Sequence, residues 1–367
     1  MNYENIKSSN VTGKKLTFRK EQEKYNGICF NKVKKKVKKI RMSYLYEHQK
    51  DRKGTEYIEI TGYEGGVRHL VIPEAIEELP VRSIGKSAFS GRDDLISVEL
   101  PETIEILGRY AFYNCKNLRT MCLYDGVEDY YDGVIKQCQS LSEIALYQQR
   151  DSYSVMKELL ADNDRRLTFT IEPAGLRLTF PAYVYDFVED VEARVLHHKI
   201  EGSGYPYREC VTRKGVDLLA YDKLFDHVIS DDYEAAIMVA LNRLRYPVEL
   251  EAAAKEQYEQ YLEQNARIVL QKLIGHAADA AGWRSGASGT GRRKEGQAAD
   301  RAKRDDSPVA ELRYLCDECL IPRAALEDGL YEAAEKKLSE ITAILMEYQR
   351  LNFAGHQQQT KMTLDEW

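Results

Sequence analysis

A repeat of 23 residues between Val67 and Tyr147 constrains the fold of this chain more than any other feature of its sequence. Two sets of positions recur in phase at this spacing: Leu95, Leu118 and Leu141, and Phe89, Phe112 and Ile135. A coil of this length cannot bury its own apolar side, so successive coils must stack, with atypical units at the ends. The pattern therefore predicts a solenoid of at least three coils, in which the second set of positions shares one buried column.

The clearest unit runs from Leu95 to Asn117 and begins with a short strand. Val98 and Leu100 alternate with polar residues, which is typical of a strand with one buried face. A proline follows and ends the strand, because it cannot donate a hydrogen bond to a neighbouring strand. The stacked units therefore predict a parallel sheet with one strand per coil.

Strand alternation divides the sheet into a buried row and an exposed, concave face. The positions expected to face the core are Leu70, Ile72, Val98, Leu100, Met121, Leu123, Ile144 and Leu146. The candidate partner-binding residues on the opposite face are His69, Ser97, Glu99, Thr120, Tyr124, Glu143 and Tyr147, with Val71, Cys122 and Ala145 in the same row. The two tyrosines are candidate anchors, since tyrosine offers a large contact area at low entropic cost. The alternatives are that this row is merely solvated, or that the C-terminal half covers it.

The repeat resembles the BspA-like class of leucine-rich repeats of bacterial proteins. The resemblance rests on Ile-Pro-Glu at 72–74, Ile-Gly-x-x-Ala-Phe at 84–89 and Cys-x-x-Leu at 115–118, within about 67–147. It implies a curved solenoid and a role in protein or surface recognition, and it implies no catalytic activity. Many members of the class are secreted or surface-attached.

The rest of the chain divides by composition and periodicity into further segments, giving an α+β protein overall. Leu167–Ile171 and Leu176–Phe180 alternate on either side of Glu172-Pro173-Ala174-Gly175, which predicts a β-hairpin that either continues the repeat sheet or starts its own module. The expected segments are a repeat domain with an N-terminal strand cap (42–150), an α/β connection (151–229), a helical segment (230–274), a flexible insertion (275–308), three helices (309–353) and a disordered tail (354–367).

The last helices have a weak resemblance to an ankyrin repeat. Ala324–Ala334 and Leu338–Tyr348 are similar to its inner and outer helices, although the Thr-Pro-Leu-His signature is absent. The resemblance implies solenoid-like stacking of helices, which is again an architecture used for binding.

A basic arm precedes the repeat domain. Residues 1–41 contain 13 Lys and Arg and 3 Asp and Glu, whereas the remainder has 40 basic and 56 acidic residues. Charge runs are usually solvated, so a disordered tail is expected, and attachment to nucleic acid or an anionic membrane is the alternative. Elsewhere the acidic balance argues against nucleic-acid binding. A further interpretation is that Met42 is the true start.

Two motifs invite a chemical function and fit it poorly. His197-His198 and the glycine-rich stretch Gly202–Cys210 lack a phosphate-loop ending and a nucleophile elbow, so an active site here is only an alternative hypothesis. Cys316 and Cys319 lack a second ligand pair for zinc and are expected to be small apolar core residues. We therefore predict no catalytic residue, no cofactor site and no metal site.

The remaining features favour a cytoplasmic protein that binds another protein. The seven cysteines are scattered and odd in number, which favours reduced thiols, and no run of 18 apolar residues or secretory leader is evident. The sequence therefore predicts a non-catalytic scaffold or adaptor that uses the concave face, the helical half or both. It leaves the partner and the oligomeric state open.

Overall fold

The computed structural model describes residues 44–190, 195–285 and 307–353, with the side chains of 186–199 and 279–285 left out of the description. The basic arm of 1–41, the tail of 354–367 and most of the expected insertion lie outside these ranges. The predicted α+β architecture is confirmed, since a β-solenoid of about five turns precedes a helical region.

The strands that line the face of the solenoid form one six-stranded sheet, here called the front sheet. Its order is β12-β11-β10-β8-β6-β3, parallel from β3 to β11 and closed by the antiparallel β12. Its strands are β3 (His69–Val71), β6 (Ser97–Glu99), β8 (Thr120–Tyr124), β10 (Glu143–Tyr147), β11 (Leu167–Glu172) and β12 (Leu176–Phe180).

A second sheet, here called the back sheet, is built from the return segment of each coil. Its order is β1-β2-β5-β7-β9, with β4 beside β5, and the antiparallel pair β1–β2 forms the N-terminal cap. Its strands are β1 (Tyr44–Lys50), β2 (Glu56–Tyr63), β4 (Ala75–Ile76), β5 (Leu79–Ile84), β7 (Ile106–Leu107) and β9 (Asp129–Tyr130).

The repeat packs its core between the two sheets as the sequence predicts. All eight residues expected to face inward from the front sheet are at most 3% exposed. The rings of Phe89 and Phe112 stack with centroids 5.2 Å apart and planes 5° apart, and Ile135 is fully buried beside the same ladder. The backbone amide of Phe112 donates to the Val134 carbonyl at 2.9 Å, which joins this coil to the next. The predicted column is therefore confirmed.

The repeated cysteines form a ladder of thiol hydrogen bonds between coils. The Cys115 thiol donates to the Phe89 carbonyl and the Cys138 thiol to the Phe112 carbonyl, each at 3.1 Å. One coil later the Asn163 amide donates to the Ile135 carbonyl at 3.4 Å and takes the place of the thiol. The Phe89 and Ile135 carbonyls also accept from the backbone amides of Arg92 and Cys138, so the side-chain donor at each step adds a hydrogen bond between neighbouring coils.

The predicted hairpin is confirmed, and it extends the front sheet. Leu167–Glu172 pairs parallel with the last repeat strand and antiparallel with Leu176–Phe180. The helix α1 (Ser154–Asp162) lies between the last repeat strand and this hairpin. A second hairpin, β13 (Val184–Asp190) with β14 (Val195–Glu201), forms a separate two-stranded sheet.

The helical half follows this hairpin. Its helices in the described ranges are α2 (Gly204–Glu209), α3 (Leu218–Lys223), α4 (Phe225–Asp231), α5 (Tyr233–Arg245), α6 (Ala252–Gln264), α7 (Ala266–Ser285), α8 (Pro308–Asp317), α9 (Arg323–Glu335) and α10 (Ser339–Phe353). Asp232 caps α5 by accepting from the Ala235 amide at 3.0 Å. α9 and α10 contain the two segments, Ala324–Ala334 and Leu338–Tyr348, that the sequence predicts as a helix pair, with Leu338 just before α10.

One sequence expectation in this half is wrong. The sequence predicts a flexible insertion from Gly275 onward, whereas α7 continues to Ser285. A single glycine costs a helix only about 1 kcal/mol relative to alanine, and four alanines follow within six residues. The high helix propensity of these alanines therefore continues the helix beyond Gly275.

A buried arginine joins the repeat to the helical half. All five N–H groups of Arg208 donate to backbone carbonyls, those of Leu160, Asn163, Arg165, Pro181 and Gly204. Its guanidinium also lies 4.7 Å from the centre of the Tyr183 ring. Burial lowers the pKa of Arg208 to about 10. The guanidinium thus ties the end of α1 and the chain after β12 to α2.

Candidate binding face

The outward side chains of the front sheet lie in rows set by strand register. One row runs His69, Ser97, Thr120, Glu143, Thr168 and Thr179, and the next runs Val71, Glu99, Cys122, Ala145, Thr170 and Arg177. A third, shorter row contains Tyr124, Tyr147 and Glu172. The structure therefore brings all seven candidate residues onto one face.

The helical half covers this face at its C-terminal end. The Asn242 side chain of α5 accepts from Arg177 Nε at 3.1 Å and donates to Thr179 Oγ1 at 2.8 Å. Thr168 and Thr179 are buried and hydrogen-bond to each other at 3.0 Å. Of the six strands, β11 and β12 at the C-terminal end of the front sheet are thus the ones that the helical half covers.

The outward residues of the other four strands are not buried, and we call them the open face. They are His69, Val71, Ser97, Glu99, Thr120, Cys122, Tyr124, Glu143, Ala145 and Tyr147. Sequence reasoning could not decide whether the C-terminal half covers the row, because which strand a helix packs on depends on contacts between distant segments. In the structure, the outward Thr168 and Thr179 of β11 and β12 are buried, whereas the outward residues of β3, β6, β8 and β10 are not.

Glu143 lies at the border between the covered and open parts. Its carboxylate is 3.0 Å from Arg177 Nη2, and the Arg177 side chain is largely buried. Arg177 also donates to Thr170 Oγ1 at 2.6 Å. Glu143 therefore has an internal partner, and its carboxylate neutralises the buried guanidinium.

At the other end the open face reaches the free edge of β3. Val71 is 47% exposed, and the Tyr44 hydroxyl donates to its carbonyl at 2.5 Å. Next to it, His69 Nδ1 and Ser97 Oγ lie 2.8 Å apart. The first described residue of the chain thus lies at the edge of the open face.

An aromatic pair lies on the open face at the carboxyl ends of β8 and β10. The rings of Tyr124 and Tyr147 have centroids 5.2 Å apart and planes tilted by 36°. Burial raises the pKa of Tyr147 to about 12, and the nearby Cys122, Tyr124 and Glu99 add to the shift. Both rings are half-buried, so they offer flat apolar area beside polar tips.

Glu99 is a half-buried carboxylate beside this aromatic pair. Among the described residues, its side chain has no hydrogen bond or ion pair, and burial raises its pKa. It lies in register between Val71 and Cys122. Burial and the charge of Glu99 together raise the pKa of the Cys122 thiol to about 11. The centre of the open face therefore carries negative charge that no cation of the described chain neutralises.

The segment proposed as an alternative active site has a structural role in this fold. Gly204 opens α2, and a Cβ there would lie 2.2 Å from the Pro181 carbonyl oxygen. Arg208 is bound by five carbonyls, and burial raises the pKa of the Cys210 thiol to about 11, which keeps it protonated at neutral pH. A protonated thiol is a poor nucleophile. The side chains of His197 and His198 lie outside the described residues.

The Cys-x-x-Cys segment ends a helix, and one of its residues is not a core residue. Cys316 is half-buried, whereas Cys319 is exposed and has a left-handed backbone with φ of 57°. The Cys319 amide donates to the Cys316 carbonyl, and the Leu320 amide to the Leu315 carbonyl, which is the Schellman pattern of a helix end. The expectation of two core cysteines is therefore wrong for Cys319, because the helix terminates between them.

Within the described ranges, no group of three or more His, Cys, Asp and Glu side chains is placed to hold a metal ion. No helix in the same ranges combines the length and apolar character needed to cross a membrane.

Comparison with known proteins identifies the repeat. Residues 67–160 match the family profile described as BspA type leucine rich repeat region, in six copies. The ankyrin resemblance of the C-terminal helix pair is not confirmed. No curated protein matches the chain.

Several solved bacterial leucine-rich-repeat structures are similar to part of the chain. A leucine rich repeat protein of T. pallidum is 28% identical over 28% of this chain and 51% of its own, with a TM-score of 0.25. A leucine-rich repeat protein of Bacteroides capillosus is 22% identical over 28% of this chain and 81% of its own, with a TM-score of 0.22. A leucine rich cell surface protein of Faecalibacterium prausnitzii is 20% identical over 29% of this chain and 45% of its own, with a TM-score of 0.21. The chain spans about half the length of the T. pallidum protein.

Proposed function

We propose that the BspA-type leucine-rich repeat of this chain is a non-catalytic protein-binding module, a scaffold or adaptor whose contact surface is the open face. Leucine-rich-repeat proteins are generally modules for protein interaction. The observation that carries the proposal is that the helical half covers the front sheet at β11 and β12, whereas within the described ranges the outward residues of the other four strands are not buried.

The chemistry of the open face suits a protein surface. Tyr124 and Tyr147 supply adjacent rings, and half-buried aromatic side chains are frequent anchors at interfaces. His69, Ser97 and Thr120 supply polar groups along one row. Glu99 supplies a carboxylate near the tyrosine rings, where a basic side chain of a partner would be attracted to both. We assign the contact surface to His69, Ser97, Glu99, Thr120, Tyr124, Glu143 and Tyr147.

We also propose a cytoplasmic location. The six cysteines within the described ranges are free thiols, and two of them donate hydrogen bonds between coils. Oxidation of Cys115 or Cys138 would remove a donor from a buried carbonyl. A reducing compartment preserves this ladder.

The proposal is tested by capturing partners from the native host with three forms of the full chain. These are the natural protein, the double variant Tyr124→Ala/Tyr147→Ala, and the control Tyr131→Ala, whose ring is 51% exposed outside the front sheet. Loss of an interface anchor costs about 2 kcal/mol or more, which is roughly a 30-fold loss of affinity.

We expect the natural protein and the control to retain the same partner, and the double variant to lose it. The affinity of that partner, measured by titration calorimetry, should fall by at least about tenfold in the double variant. Identical capture and affinity for all three forms would exclude the open face as the contact surface.

A further inference from the structure

The unpaired carboxylate of Glu99 is a feature that the fold leaves unsatisfied. It is half-buried at the second strand of the open face, and no cation among the described residues pairs with it. The other acidic residue of the open face, Glu143, already pairs with Arg177. A partly desolvated charge gains most from a cation that arrives with its own hydrogen-bond donors. Glu99 therefore points to a basic occupant.

The chain itself enters the described structure at the edge of this surface. Tyr44 is the first described residue, and its hydroxyl binds the Val71 carbonyl. Val71 and Glu99 are register neighbours on adjacent strands, which lie about 4.8 Å apart. The Tyr44 side chain therefore reaches the strand next to the one that carries Glu99.

Those preceding residues form the most basic stretch of the sequence. Residues 32–41 contain seven Lys and Arg and no acidic residue. An extended chain spans at most about 3.5 Å per residue, so Arg41 can reach up to roughly 10 Å from Tyr44 and Lys39 up to roughly 18 Å. These lengths cover the distance from the edge strand to Glu99 and onward to Tyr124 and Tyr147.

We propose that residues 32–41 are the resident occupant of the open face, with a lysine of this segment paired with Glu99 and others near the tyrosine rings. Charge complementarity favours the contact, and the tyrosine faces attract ammonium groups. A tethered segment acts at an effective concentration in the millimolar range, so it competes well with free basic peptides. The inference goes beyond the proposed function, since the contact needs no second protein.

This contact gives the basic arm a regulatory role. A partner that uses the open face must displace residues 32–41, so the arm lowers the affinity of the face for every partner. Salt weakens the contact, because the pairing of exposed lysines with a half-buried carboxylate is screened. The arm is then an internal competitor rather than an attachment to nucleic acid or to a membrane.

Zero-length crosslinking of the unmodified full chain tests the contact. A water-soluble carbodiimide joins a lysine amine to a carboxylate only where the two groups touch, and peptide mass spectrometry locates each new amide. We expect amides between Glu99 and Lys32–Lys39 within the monomer band. They should persist in the control Glu128→Gln, whose exposed carboxylate lies outside the front sheet. They should fall at least tenfold in Lys34→Glu/Lys35→Glu/Lys36→Glu and in 0.5 M salt.

Three results would overturn the proposal. The first is the absence of amides at Glu99, and the second is an even spread of lysine amides over exposed carboxylates such as Glu128. The third is amides at Glu99 in covalent dimers alone, which would make a second copy the occupant. Because no partner protein is present, failure here leaves the capture experiment for the proposed function unaffected.

Discussion

Asn242 donates a hydrogen bond of 2.8 Å to Thr179, and this contact seats helix α5 on the outermost strand of the front sheet. The same side chain accepts from Arg177 at 3.1 Å. All three residues are buried. This link determines which part of the sheet is covered and which part stays accessible.

Replacement of Asn242 should therefore destabilise the whole chain. Asn242→Ala removes one buried hydrogen bond from Arg177 Nε and one from Thr179 Oγ1, which keeps its bond to Thr168, and each such loss costs about 1–3 kcal/mol. We expect the free energy of unfolding in urea to fall by about 2–4 kcal/mol. The control Asn352→Ala changes an exposed residue of α10 and should stay within about 0.5 kcal/mol. Equal stability of the two variants would show that the link is not needed.

The stacked rings of Phe89 and Phe112 at the core of the repeat predict a larger loss of stability when one of them is removed. Phe112→Ala removes a fully buried ring that stacks on Phe89, and truncations of this kind cost about 3–5 kcal/mol. Tyr131→Ala removes a half-exposed ring from the same coil region and should cost about 0.5 kcal/mol or less. Chemical unfolding followed by circular dichroism measures both. A small loss for Phe112→Ala would mean that the coils do not share one core.

The hydrogen bonds of Arg208 predict a loss of stability that depends on how many donors a substitution removes. Arg208→Met removes all five donors from buried carbonyls and should cost about 3–5 kcal/mol, as for other broken buried charge networks. Arg208→Lys retains three donors and should recover part of this loss. Arg213→Met, at a largely exposed arginine nearby, is the matched control. If Lys and Met are equivalent at position 208, the carbonyl contacts do not stabilise the junction.

Asp94 makes the stability of the repeat depend on pH in the acidic range. Hydrogen bonds from Arg92 and from the Val67 amide hold the pKa of this carboxylate at about 2, below its value in an unfolded chain. The stabilisation is therefore present above about pH 4 and is lost as the pH falls towards 2. The group is partly exposed, so screening limits the effect to roughly 1 kcal/mol or less.

Asp94→Asn should remove this part of the acid sensitivity. Thermal unfolding between pH 5 and pH 2 is the measurement, and the gap between the natural protein and the variant should close as the pH falls. The exposed Asp132→Asn provides the comparison. A gap that widens at low pH would reverse the sign of the predicted effect.

The sequence predicts the local and periodic parts of this structure well. The spacing of Phe89, Phe112 and Ile135 determines the solenoid, because each coil must repeat the contacts of the last. Alternation also places the candidate residues on one face, as strand geometry requires. The position of α5 over Thr179 could not be predicted, since it depends on contacts between residues about 60 apart in sequence. The unpaired state of Glu99 is likewise visible only when every neighbouring side chain has been placed.

Two further features escaped prediction for local reasons. The composition after Gly275 predicts the end of a helix there, yet the alanines that follow continue α7. The sequence predicts Cys319 as a core residue, yet the helix ends before it and its side chain is exposed. In both places neighbouring residues outweigh the preference of the single residue on which the prediction rested.

The most direct measurement on the open face is hydroxyl-radical footprinting of its tyrosines with and without the captured host partner. The modification rates of Tyr124 and Tyr147 are compared with that of Tyr131, which lies outside the front sheet and serves as the internal reference. Binding through the open face predicts that the partner slows modification of Tyr124 and Tyr147 several-fold and leaves Tyr131 unchanged. Unchanged rates at both open-face tyrosines in the saturated complex would contradict it.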